Sequence, residues 1–212
     1  MAVFHPRNDD HGKPVALKSP SLATPLESWL QADTVACVVP DGPMPAQLNG
    51  IPVANWPDAP TSEAEWETLA SQSSISEPPF VAPAGYRKSA GVVVREPDCR
   101  YWVVAPSNAF GGYPACFPKG MLEGKSAQAT ALVETFEESG LRVRLLAHLI
   151  DVKRSTSYTR YYLAKRLGGN PADMGWESQA VMLVPSTHLD QMLTNKNDHP
   201  ILEALKRGCS NS

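Results

Sequence analysis

The chain has 212 residues, 42% of them apolar and 19% charged, with a net charge of −3. That is enough for one well-cored domain with extra elements, or two small domains, and it lacks the basic excess that nucleic acid or an anionic membrane would call for, so neither partner is expected. Cys37, Cys99, Cys116 and Cys209 form no CxxC pair and the five histidines show no HxxxH spacing, which argues against a zinc site or a redox dithiol.

The N-terminus, MAVFHPRNDDHGKP, has no apolar core and carries Asp9 and Asp10, so it does not read as a secretory signal. No apolar run approaches the length of a membrane span, and a reduced cytoplasm is the expected setting. Of the 20 prolines, 13 lie in residues 1–85, which marks this third as an N-terminal extension distinct from residues 86–212. Its first 25 residues are expected to form a flexible tail. A short helix around PLESWLQA, a strand TVACVV and a turn-rich PDGPMP follow. TSEAEWETLA predicts a helix with Ser62 and Glu65 at capping-box spacing, and SEPPFVAPAGY an extended linker. This region carries no chemical motif; packing, covering a site, or joining two copies as a homodimer is its expected role.

From Arg87 the texture changes. SAGVVVRE and RYWVVAPS predict two strands around a PDC turn, and ACFPKG a short strand entering a glycine-containing loop. Ser126–Ser139 predicts a helix, stopped at Gly140. RVRLLAHLIDVKR, SYTRYYLAKRL and AVMLVP predict three more strands. STHLDQML and DHPILEALKR predict closing helices. Strands around two or three helices define an α+β domain.

The helix after the loop carries the chemistry. At 100° per residue Ala129, Leu132, Val133 and Phe136 form its apolar side. Glu134, Glu137 and Glu138 share another, beside Ala127 and Ala131. Like charges at this spacing repel by about 0.2–0.5 kcal/mol per pair, and these sit at the negative end of the macrodipole. No basic residue lies between Ser126 and Leu141 to offset them. A solvated acidic face is one reading. The other is a divalent cation, which hard carboxylate oxygens suit and which would cancel the repulsion and the dipole penalty together.

FPKGMLEGKSAQATALVETFEESGL, residues 117–141, resembles the Nudix box, GX5EX7REUXEEXGU with U aliphatic. Gly120 matches its first glycine, Glu134 the glutamate after the arginine, Glu137 and Glu138 the EE pair, and Gly140–Leu141 the closing GU. The loop is one residue short, so Lys125 falls at the box's first glutamate, Val133 at its arginine and Thr135 at its aliphatic position. The resemblance covers about residues 86–205 and implies a Nudix fold, a mixed sheet sandwiched by helices. It also implies a hydrolase acting on phosphoanhydride bonds with Mg²⁺ or Mn²⁺ as cofactor. Glu134, Glu138 and the Gly120 carbonyl match the family's metal ligands, with Glu137 as an additional one, and the three glutamates are the expected catalytic set. Lys119 in FPKG is similar to the lysine of Nudix hydrolases of diadenosine polyphosphates and diphosphoinositol polyphosphates.

Arg154 and Arg160 are further candidates for binding substrate phosphate, with Lys165 and Arg166 behind them; each could equally be a solvated strand-edge charge. Glu177 is a candidate auxiliary base or ligand, and Trp176 a base-stacking residue. Phe110 and Tyr113 of SNAFGGYP are candidates for a substrate-side lip. GMLEGKS also resembles a phosphate loop, but Gly120 and Gly124 are one residue too close. The expected substrate is a small phosphoanhydride: a nucleoside diphosphate linked to another group, or a dinucleoside polyphosphate. The competing reading is a Nudix-fold module that has lost turnover and senses a nucleotide, favoured by Lys125 and Val133 and opposed by the three helix glutamates.

Overall fold

The structure, a computed structural model, describes residues 2–107 and 114–209. Phe110 and Tyr113, the expected lip, lie outside the described residues. The first strands, β1 (Val3–Phe4) and β2 (Ala16–Leu17), pair antiparallel. The first 25 residues, expected as a flexible tail, are thus a hairpin, and it docks on the domain. The Arg7 guanidinium donates to the Met174 carbonyl at 2.5 Å, and Gln179 bonds both Lys18 N–H and the Ser19 carbonyl. A proline-rich composition hides such long-range partners.

PLESWLQA forms a 3₁₀ turn over Leu26–Leu30 rather than an α-helix. Buried Arg100 explains how so short a turn is held: its guanidinium donates to the carbonyls of Ser28, Trp29 and Gln31 while Asp98 neutralises it. Strands β3 (Ala36–Val38), β4 (Gln47–Leu48) and β5 (Ile51–Pro52) follow, then α1 (Glu63–Ser71), which opens with the expected Ser62–Glu65 capping box.

The remaining elements are β6 (Arg87–Arg95), β7 (Arg100–Pro106), β8 (Lys119–Met121), α2 (Ala127–Ser139), β9 (Leu141–Lys153), β10 (Ser157–Gly169), β11 (Ser178–Pro185), α3 (Leu189–Met192) and α4 (His199–Cys209). The main sheet runs β3-β11-β7-β6-β10-β9, with β8 on β6. β6 and β10 are parallel and the other pairs antiparallel, so the sheet is mixed. ACFPKG contributes an isolated bridge at Cys116 to Val104 and then β8.

The strand patterns follow from their positions. The AGVVV of β6 is buried throughout because side chains pack on both faces. β9, at the edge, buries Leu141, Val143 and Leu145 and exposes Arg142, Arg144 and Leu146 between them. One core layer holds α1 and α2 against the sheet through Trp66, Leu132, Val133, Trp102 and Tyr162. The other holds the closing helices through Leu189, Leu193, Ile201, Leu202 and Leu205. Residues before 86 enter both layers: Trp29 and Val38 in the first, Cys37 in the second. No helix among the described residues is long and apolar enough to cross a membrane.

Candidate active site

The loop between β8 and α2 sets the site. β8 is pinned by β6 through Ala90 opposite Gly120. The chain then turns at Glu123 and Gly124, both at positive φ, before the Ser126 hydroxyl caps α2 by accepting the Ala129 N–H. Gly140 ends the helix in the left-handed region at φ 64°, where a side chain would also overlap the Asn170 carbonyl. Thr135 and Ser139 are buried and bond back to the carbonyls of Ala131 and Thr135, so polar residues are tolerated on the buried side of this helix. Val133 is in the core, where an arginine would be a buried charge.

One carboxylate oxygen from each of Glu134, Glu138 and Glu177 lies within 4.8 Å of the others. Glu134 sits directly against the Gly120 α-carbon; a Cβ there would overlap its carboxyl group, so only glycine leaves room. Glu138 is the deepest of the three, and its Oε2 accepts the Lys119 backbone N–H at 3.1 Å. Burial, then the charges of Glu138, Glu137 and Glu177, pushes Glu134 up to about 8. Burial pushes Glu138 up to about 7, against the opposing pull of Lys119. Glu137 and Glu177 are raised as well, each by burial first.

Glu177 reaches the cluster on the segment before β11. There Gly175 donates to the Glu137 carbonyl at 2.6 Å, and a side chain at 175 would overlap that carbonyl. Glu137 itself is exposed and is not one of the three converging carboxylates. Trp176 donates from Nε1 to Asp10 at 3.1 Å, which draws the N-terminal hairpin over this edge. Asp10 then raises both Glu137 and Glu177. Asp10 was not legible as a site residue, because only the fold brings residue 10 to residue 177.

Lys119 lies beside this cluster. Its ammonium is held above the usual lysine range by Cys116 and, after the opposing effect of burial, by Glu138 and Tyr161. Arg154 acts electrostatically on the same lysine, but its guanidinium is held by Asp198 at 2.6 Å and the Tyr161 hydroxyl at 3.0 Å. Arg160 is 2% exposed and binds Asp151 through two nitrogens at 2.8 Å, with Glu77 at 3.3 Å and the Phe80 ring stacked 4.3 Å away. Arg166 is buried in an ion pair with Glu96. The structure therefore brings Lys119, Gly120, Glu134, Glu138 and Glu177 together, and gives all three arginines partners inside the protein.

Three carboxylates converging on one point, with Glu134 and Glu138 pushed toward neutrality by burial first and by neighbouring carboxylates after it, form a set of hard oxygen donors that fits a small divalent cation. A strand–loop–helix carrying two of the three on a mixed sheet between helices, with the third from the segment before β11, defines the class. Residues 85–205 match the NUDIX domain, and the chain belongs to the Nudix family of hydrolases, which act on phosphoanhydride bonds. Similar solved structures include a Nudix hydrolase family member from Chromobacterium violaceum, at 23% identity over 59% of this chain and 80% of that one, with a TM-score of 0.47. An Ap4A hydrolase from C. elegans is 18% identical over 59% and 99% of the two chains, with a TM-score of 0.49. A UDP-X diphosphatase is 19% identical over 70% and 72%, with a TM-score of 0.48. A comparison with curated proteins found no match.

Proposed function

We propose that this chain is a metal-dependent pyrophosphohydrolase that cleaves a phosphoanhydride in a nucleoside diphosphate linked to another group, or in a dinucleoside polyphosphate. The convergence of Glu134, Glu138 and Glu177 carries the reading. Glu134, Glu138 and the Gly120 carbonyl would hold Mg²⁺ or Mn²⁺, with Glu177 as the third converging carboxylate and Glu137 outside the cluster. When bound, the ion supplies Lewis-acid stabilisation of charge on the diphosphate and orientation of the attacking water.

The chain's own residues do the rest. Gly120 leaves the space that Glu134 needs, and the Lys119 N–H orients Glu138. The Lys119 ammonium, which lies near Glu138, would bind substrate phosphate. A glutamate of the cluster takes the proton of the attacking water. A cytoplasmic setting accords with Cys37 and Cys116 being buried free thiols.

The test is phosphate release from ADP-ribose, nucleotide sugars and dinucleoside polyphosphates, with Mg²⁺ or excess chelator. Turnover of at least one diphosphate substrate that stops in chelator is expected. Undiminished turnover in chelator contradicts the proposal, and nucleotide binding without any turnover supports the sensor reading instead.

A further inference from the structure

The three converging carboxylates are held unevenly. Glu134 and Glu138 stand on α2, whereas Glu177 reaches them from the loop before β11. Glu177 is exposed, and among the described residues no hydrogen bond or ion pair reaches its carboxylate. Its place among the three depends on how its backbone is held, and a loop holds a ligand less precisely than a helix does.

That backbone is held from three sides. Ser107, just after β7, donates its N–H to the Glu177 carbonyl at 2.7 Å and its hydroxyl to the Trp176 carbonyl. On α2 the Glu137 carbonyl accepts the Gly175 N–H. The third side is the N-terminal hairpin. Arg7 donates to the Met174 carbonyl, and Asp10 accepts the Trp176 indole N–H. Past Glu177, Gln179 bonds the Lys18 N–H and the Ser19 carbonyl. The hairpin therefore holds the chain on both flanks of Glu177.

Its own construction suits that task. β1 pairs with β2, the His5 N–H donates to the Val15 carbonyl at 2.8 Å, and the Asp9 carboxylate accepts the N–H groups of His11 and Lys13 across the turn that carries Asp10. Arg7 and Asp10 are both exposed and belong to neither core layer, so the fold does not need them for burial.

We infer that Arg7 and Asp10 are positioning residues for Glu177: through Met174 and Trp176 they set its carboxylate against Glu134 and Glu138. Both lie outside residues 85–205, so the segment that completes the site stands outside the family domain. The inference rests on the metal-dependent pyrophosphohydrolase reading for what the cluster does.

The test is a double-mutant cycle of Arg7→Ala/Asp10→Ala against Glu177→Ala, with Asp10→Ala and Asp10→Asn compared alone. With Mg²⁺, kcat and KM are measured on whichever of ADP-ribose and diadenosine tetraphosphate the parent turns over faster. Mn²⁺ affinity is measured by calorimetry without substrate. The Arg7→Ala/Asp10→Ala variant should lose about 10-fold in kcat and in Mn²⁺ affinity, the scale for groups that orient a ligand, with KM little changed. On the Glu177→Ala background the same changes should cost nothing further. Asp10→Asn keeps an oxygen to accept the indole N–H and should recover most of what Asp10→Ala loses.

Equal losses with and without Glu177 would mark a general structural role and overturn the inference, as would no loss at all. A loss in Asp10→Asn as large as in Asp10→Ala would assign the effect to charge instead of position and would also overturn it. Should the parent turn over neither substrate, the hydrolase reading fails, and the Mn²⁺ cycle decides the positioning role. A parent that neither turns over substrate nor binds Mn²⁺ overturns both.

Discussion

Glu134 and Gly120 show how one atom's absence shapes this site. The carboxyl group of Glu134 occupies the space where residue 120 would carry a Cβ. Gly120→Ala should therefore displace Glu134 while leaving β8 paired to β6. A misplaced ligand typically costs 10–100-fold, so kcat with Mg²⁺ should fall by about that factor. Far-ultraviolet circular dichroism should be unchanged, and full activity would show that Glu134 does not need its present position. Glu134, Glu138 and Gly120, which the structure brings together, could be picked out in the sequence because their register is local, within one loop and one helix; Glu137 was picked out with them but stands outside the converging carboxylates. Glu177 joined them as a candidate, but Asp10 did not: its place beside Trp176 depends on long-range pairing that no spacing reveals. Arg154 and Arg160 looked like phosphate-binding charges from the strands, yet Asp198, Asp151 and Glu77 hold them.

Among the elements, α2 was the most fully legible, expected over Ser126–Ser139 with a stop at Gly140 and found over Ala127–Ser139 with Ser126 as its cap. The strands of the main sheet were legible too, since apolar runs between turn residues survive burial on either one face or both. The N-terminal hairpin and the Leu26–Leu30 turn were not, because Gln179, Met174 and Arg100 hold them from far along the chain. A similar linkage ties β10 to the N-terminal region. Arg166 bonds Glu96 at 2.5 Å and the Leu48 carbonyl at 2.7 Å, while Glu96 also accepts from Trp102 and Asn49. Arg166→Leu would leave Glu96 buried without its counter-charge, a loss of about 3–5 kcal/mol. Urea unfolding measures it; a change below about 1 kcal/mol would place the network among the weak, solvated pairs.

For the whole molecule, the raised glutamates make stability depend on pH in the direction opposite to ordinary ion-paired carboxylates. Glu134 and Glu138 titrate near 8 and 7 in the folded protein, against an ordinary value of 4.5. Between those limits the folded state keeps protons that the unfolded state has lost, so stability falls as pH rises. In chelator the melting temperature should decline from about pH 5 to pH 8. Mg²⁺ should restore it most at the upper end, because a ligand that binds only the native state stabilises it. A flat profile, with no Mg²⁺ effect, would mean the carboxylates are solvated and do not act as a unit.

The same linkage supplies the most direct test that these glutamates form a divalent-cation centre. Ligands must be deprotonated to coordinate, so cation binding at pH 7 should release protons. The measurement is calorimetric titration of Mn²⁺ into the protein in two buffers of different ionisation enthalpy, repeated with Glu138→Gln. Saturable binding with a buffer-dependent heat corresponding to about one proton, lost or much weakened in the variant, is the predicted result. Binding that is absent, or identical in parent and variant, would contradict the assignment.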